Sequence, residues 1–242
     1  VAAEKDVKKY LMMQPTPTYN VLNFLGLMLA LLLIPSAVLA GRQPSLTAID
    51  PNVDIIVLAN RGKNNALKKW EPTAEYLTQQ IPGYQFHIKA FLIGDIEKAI
   101  ENERAGFTLT NPALYAELEA KYGVTRIATL RNKRLGAAYT EFGALIIARA
   151  DRDDIHSLRS LSGKSFMAVH PRAFGGWWMT WRKLKQAGID PKTDFTPMAF
   201  ANFPQDGVVY AVRDGKVDAG TVRTDILERM AAEGKIYLAD FK

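Results

Sequence analysis

The chain has 242 residues, 48% of them hydrophobic and 23% charged, which fits one large globular domain or two modest lobes and excludes a disordered polymer. The net charge is +6, yet Lys and Arg are interleaved with acids and form no basic stripe, so no nucleic-acid partner is expected. Cysteine is absent, which removes disulfides, thiol catalysis and thiolate metal sites; the three histidines, His87, His156 and His170, lack metal-ligand spacing, so neither a metal nor a cofactor is expected.

Residues 1–20 read as a polar tail and residues 21–40, VLNFLGLMLALLLIPSAVLA, as an uncharged apolar run of bilayer-spanning length. The run is either a retained transmembrane anchor or a signal removed after Ala40. The tail ahead of it is longer than an ordinary signal's charged region, which favours the anchor. Lys5, Lys8 and Lys9 precede the run and only Arg42 follows closely, so the positive-inside rule leaves the N-terminus in the cytoplasm of a bacterium. The main domain is then periplasmic, held at the inner membrane.

After a linker at 41–53, short β-type runs alternate with amphipathic helical ones. Strands are predicted at 54–59, 84–93, 106–110 and 124–130, with helices at 64–80, 95–103 and 112–122 between them. The rhythm resumes with strands at 143–149, 165–169, 195–200 and 217–222 and helices at 177–187, 205–213 and 224–232. Gly188 sits where a helix C-terminal stop is expected. This alternation predicts an α/β fold with parallel sheets covered on both faces, in two lobes at 54–142 and 143–235, and a return strand at 236–242. Ligands of such proteins sit between lobes, at the carboxyl ends of strands.

Four strand exits carry the chemistry. The first, VLANRGKNN, offers Asn60 and Arg61. In FTLTNPALY, Thr110, Asn111 and Tyr115 form a polar wall, although each also suits a helix cap or a surface position. In HPRAFGGWWMTW, Gly175 and Gly176 open a helix: either a cradle that lets an anion approach backbone amides, or a tight strand-to-helix turn. Trp177 is expected at the cleft mouth, on the same helix face as Trp181. In DAGTVRTD, Arg223 is an anion ligand or the partner of Asp225 or Glu228, with Thr224 or Asp225 capping the next helix. No nucleophile elbow, P-loop or dinucleotide fingerprint is present, so catalytic residues are not expected.

The blocks VLANRGKNNALKKWEPTAEYL, GFTLTNPALY, FGALIIARADRDDI, AFGGWWMTWRKLKQAGIDP and VDAGTVRTDILERMAAEGKI together resemble the phosphonate-binding-protein-like (PhnD-like) family of periplasmic solute receptors. The resemblance is strongest to the sensor-type subgroup found in bacterial signalling proteins such as tetrathionate-type sensor kinases, and it runs in order from residue 54 to 242. It implies a type II periplasmic binding fold, two α/β lobes around a small anionic ligand. Matching blocks place Asn60, Arg61, Asn111, Tyr115, Phe174, Gly175, Gly176, Trp177, Thr221 and Arg223 at the ligand. The chain departs from the family pattern at Ala173, where relatives commonly carry serine, and at Gln205, where the subgroup often has histidine. The Ser-rich turn of phosphonate transport receptors is also missing, which argues against a phosphonate ligand. Relatives continue past the strand in which YLADFK ends.

The expectation is therefore a membrane-anchored periplasmic solute-binding or sensor-like domain with a membrane-protein partner. The alternative is a binding fold retired into an accessory structural subunit of a larger inner-membrane complex, respiratory or photosynthetic.

Overall fold

The computed structural model describes residues 50–103, 106–134 and 136–242, which belong to one compact unit beginning at Asp50. The tail, the apolar run and most of the linker lie outside the described residues. Among the described residues no helix is long and apolar enough to cross a membrane.

The first lobe has strands β1 (Asn52–Leu58), β2 (Gln85–Phe91) and β3 (Phe107–Leu109) and helices α1 (Lys63–Gln80), α2 (Ile96–Glu103) and α3 (Pro112–Tyr122). Its sheet runs β2-β1-β3, all parallel. Side chains of β1 alternate between faces with period two. Ile56 and Leu58 join Ile96, Leu114 and Leu118 on the face covered by α2 and α3, while Val57 and Ala59 meet Ala66 of α1 on the other. Asn111 caps α3, its side-chain oxygen accepting from the Leu114 amide at 3.0 Å, and Gly123 ends that helix at φ 66°.

Two expectations change in the segment that follows. Residues 125–131 form no strand and are exposed, Ile127 by 76%, because no neighbouring strand offers a ladder to pair with. In their place a hairpin forms from β4 (Asn132–Arg134) and β5 (Ala137–Tyr139), with Gly136 at φ 88° in its turn.

The second lobe contains β6 (Ala144–Ala148), β7 (Phe166–Ala168), α4 (Met179–Gln186), β8 (Met198–Phe200), α5 (Asp206–Arg213), β9 (Ala219–Arg223) and α6 (Ile226–Ala232). Strand order is β6-β9-β7-β8. β7, β8 and β9 are parallel, but β6 is antiparallel to β9, so this sheet is mixed where a parallel one was expected. One continuous core fills the lobe: Phe166 stacks on Phe195 at 4.5 Å, surrounded by Leu184, Val208, Val212 and Met230. Helix α5 lies so close on β9 that a Cβ at Gly220 would stand 2.6 Å from Val208 Cγ1 and 3.0 Å from the Met167 carbonyl. The expected return strand is mostly a 3-10 turn, Leu238–Asp240, and only Phe241 bridges back to Arg149 beside β6.

Candidate functional site

Residues just past the carboxyl ends of strands in each sheet reach residues of the other half. Arg61, just past β1, reaches Glu233 beyond α6 at 3.1 Å. In the opposite sense Arg172, past β7, donates its Nε to Glu117 of α3 at 2.7 Å and lies 3.2 Å from Glu97 of α2. Phe203, past β8, packs against both the larger core of the first lobe and the core of the second. Two strand exits of the second lobe and one of the first thus reach across the seam to the opposite half.

Arg223 sits at the end of β9 within that seam. Its guanidinium lies 4.3 Å from the Phe142 ring centre and its Nη2 3.3 Å from Asp225 Oδ2. Its Nε is buried without any hydrogen-bond partner. Burial pushes the Arg223 pKa down; Asp225 opposes the shift and Arg134 adds to it. Arg134, from the β4-β5 hairpin, donates its Nε to the same Asp225 oxygen at 2.7 Å. Lys69 of α1, its ammonium 4.9 Å from the Trp70 ring centre, is lowered by burial and then by the charges of Arg134 and Arg223. One oxygen of the Asp225 carboxylate is therefore shared by two guanidinium groups, one from the hairpin and one from the end of β9.

The residues singled out in the sequence are distributed as follows. Thr110 ends the first-lobe edge, and its hydroxyl is buried and without a partner. Asn111 spends its oxygen on the helix cap. Tyr115 donates its hydroxyl to Glu119 at 2.5 Å, and that bond raises the phenol pKa. Asn60 is exposed, and Arg61 is held by Glu233. Phe174 meets Phe142 edge-on at 5.5 Å, beside Arg223.

Gly175 and Gly176 lie in a π-helical turn, Phe174–Trp178, that runs into α4. Both are fixed by packing. A Cβ on Gly175 would lie 2.8 Å from the Gly143 carbonyl, and one on Gly176 would lie 2.5 Å from Val169 Cγ2. Trp177 is buried, edge-on to Phe200 at 5.6 Å, while Trp178 and Trp181 are exposed; all three line one groove together with Phe174, Met179 and Arg182. Thr221 is fully buried, sharing a 2.6 Å hydrogen bond with Thr180, so its hydroxyl serves the packing of α4 on β9. Neither Thr224 nor Asp225 caps α6: Thr224 accepts from the Gly143 amide at 3.1 Å, and Asp225 is turned to the arginines with φ 78°. Gln205 accepts from the Arg223 amide at 2.8 Å, which fixes the strand end where Arg223 emerges.

Lys69, Arg134 and Phe142 were not found by reading strand exits. Lys69 lies on the outer side of a helix among other lysines, and Arg134 belongs to a hairpin too short for a periodic signal. The LG pair of NKRLGAAY was the one turn signal available. Among the described residues no group of three or more His, Asp or Glu could hold a metal ion.

The sequence profile of the ABC transporter phosphonate periplasmic substrate-binding protein family matches residues 55–242. The tetrathionate sensor histidine kinase TtrS of Salmonella typhimurium is 35% identical over 189 residues, which is 78% of this chain but only 32% of the kinase. Among solved structures, PhnD1 of Prochlorococcus marinus in complex with methylphosphonate aligns with a TM-score of 0.65 at 14% identity, covering 80% of this chain and 71% of that one. A binding protein component of an ABC phosphonate transporter from Pseudomonas aeruginosa gives 0.58 at 20% identity, covering 79% of this chain and 63% of that one. The fold is thus that of the α/β periplasmic binding proteins, and with three quarters of its length matched the chain belongs to the phosphonate-binding family of periplasmic substrate-binding proteins.

Proposed function

We propose that this periplasmic domain is an anion receptor of the sensor type, held at the inner membrane by residues 21–40 and passing ligand occupancy to a membrane-protein partner. The observation that carries the reading is Arg223, whose buried Nε has no hydrogen-bond partner and whose carboxylate partner Asp225 is shared with Arg134; the Thr110 hydroxyl at the end of the first-lobe edge is likewise buried and unpartnered. Buried donors without acceptors are costly, and an oxyanion supplies the missing acceptors. The ion pairs Arg61 to Glu233 and Arg172 to Glu117 span the seam, so closure on a ligand and lobe-to-lobe contact are linked. A ligand shifts that equilibrium only by binding the closed form more tightly. The likeness to a tetrathionate sensor kinase supports a sensory role, and the retained cationic seam weighs against a purely structural subunit.

The test is calorimetric titration of the wild-type domain with tetrathionate, methylphosphonate and sulfate. Saturable binding of at least one, lost in Arg223→Gln with the thermal melt preserved, is expected. No binding of any of them sinks the reading. Intact mass of the native chain decides the anchor, because a product starting after Ala40 would make the apolar run a cleaved signal.

A further inference from the structure

We infer that the exposed tryptophan and basic face of α4 is a docking surface for a phospholipid bilayer that carries anionic headgroups. The inference rests on the anchoring part of the reading above and goes beyond it, naming the face of the domain that meets the membrane.

Helical spacing builds this face. Thr180 and Leu184 are the buried side of α4, so Trp178, Trp181, Arg182 and Lys185, at steps of three, four and seven, share the side turned away from the core. Trp178 is 37% exposed and Trp181 44%, and with Phe174, Trp177, Met179 and Arg182 they line a groove of about 450 Å³. Trp178 donates its indole N–H to the Pro171 carbonyl at 2.6 Å, so what it turns outward is apolar ring. Contiguous aromatic surface left to water marks a contact site. Indoles beside cations suit the bilayer interface, where the rings enter the headgroup region and the charges stay wet.

Charge and reach choose the occupant. The helix MTWRKLKQ carries three cations and no acid. Lys185 is held by Asp190 at 2.9 Å, while Arg182 and Lys183 are exposed and have no carboxylate partner among the described residues. That charge is complementary to anionic lipid. The apolar run ends at Ala40 and the domain begins at Asp50, so residues 41–49 are the whole tether, about 30 Å when fully extended. A domain of this length has a radius of gyration of about 16 Å. An anchored copy therefore stays within about one domain width of the bilayer, which is the surface it meets at the highest effective concentration.

The experiment places the full chain in vesicles of phosphatidylcholine and phosphatidylglycerol with brominated acyl chains, which quench tryptophans that enter the bilayer. Residues 1–49 contain no tryptophan, so the emission comes from Trp70, Trp177, Trp178 and Trp181. Expected are quenching relative to unbrominated vesicles and its loss in the double variant Trp178→Ser, Trp181→Ser. The docking equilibrium, read from the quenched fraction, should fall about fivefold for each of Arg182→Gln and Lys183→Gln, and should fall again when phosphatidylglycerol is omitted. Unquenched emission from a chain whose intact mass retains residues 1–40 overturns the docking face, leaves the anchor standing and makes a protein the groove's occupant. Quenching that survives the double serine variant also overturns it. A mature chain that starts after Ala40 removes the anchor instead, and whether that chain co-sediments with the same vesicles then decides the docking face. Thermal melts of each variant separate a lost face from a lost fold, and the anion titrations answer the receptor reading independently.

Discussion

The two lobes present different kinds of edge to the seam. In the second lobe the charged side chains at the edge stand on tight packing: Gly175 and Gly176 press against Gly143 and Val169, Thr221 is bonded to Thr180 below the surface, and a single core continues beneath them. In the first lobe the edge is polar, its core is divided by the sheet into two smaller clusters, and the Thr110 hydroxyl is left without a partner. The difference teaches that the second lobe is the rigid platform from which Arg223 is presented, while the first is the half that adjusts to what lies in the seam.

The sharpest way to break that comparison is to hollow out the platform. Phe166→Ala removes a fully buried ring stacked on Phe195 and should cost about 3–5 kcal/mol in denaturant unfolding. Hydrogen exchange on the wild type should show β1 amides opening at lower free energy than those of β9, and the reverse order would remove the distinction. Next come two changes of one methyl group each. Gly176→Ala must push Val169 aside and should lose about 1–3 kcal/mol. Thr110→Val discards a hydroxyl that has no partner and should leave the melt unchanged or raised, by no more than about 1 kcal/mol, while weakening anion binding.

Acid sharpens the contrast further. Burial alone would raise Asp218, but the hydrogen bonds from the Ser165 hydroxyl and amide and from Arg152 outweigh it and hold the carboxyl at about 2. An unfolded aspartate titrates near 3.9 (about 4), so this stability is complete above that value and is lost as pH falls through about 2. His170 behaves differently. Burial first and Arg172 second lower its pKa, with Glu117 opposing, so below about pH 6.5 the unfolded imidazole takes a proton that the folded one resists. Stability should therefore decline from about pH 6.5 down through the lowered value, and His170→Asn should flatten that part of the profile while leaving the steeper acid limb. The smallest effect belongs to Glu117→Gln. Arg172 keeps Glu97 at 3.2 Å, so the loss should stay below about 1 kcal/mol, yet small-angle scattering should detect a more open average.

Much of the fold was legible because its local signals agree: the β1 run, the Asn111-Pro112 helix start and the Gly188 stop all lie where composition put them. The hairpin was not, since three-residue strands carry no usable period, and residues 125–131 show that β-type composition without a pairing partner makes no strand. At the site, Arg223 and Thr110 could be found because strand exits are the natural place to look. Arg134 meets Asp225 beside Arg223 only through tertiary packing, over a separation of 91 residues that no local pattern encodes. Trp177 and Trp181 line one groove, as their spacing of one helical turn suggests, although the turn that carries Trp177 is π-helical, which no local signal announced.

The glycine pair in Phe-Gly-Gly-Trp has a consequence for how such receptors diversify. A methyl group at either position collides with Val169 or with the Gly143 backbone before any ligand is involved. Descendants that keep this strand-to-helix corner must keep the pair whatever they bind, so the glycines are a mark of how the corner packs and carry no information about the ligand.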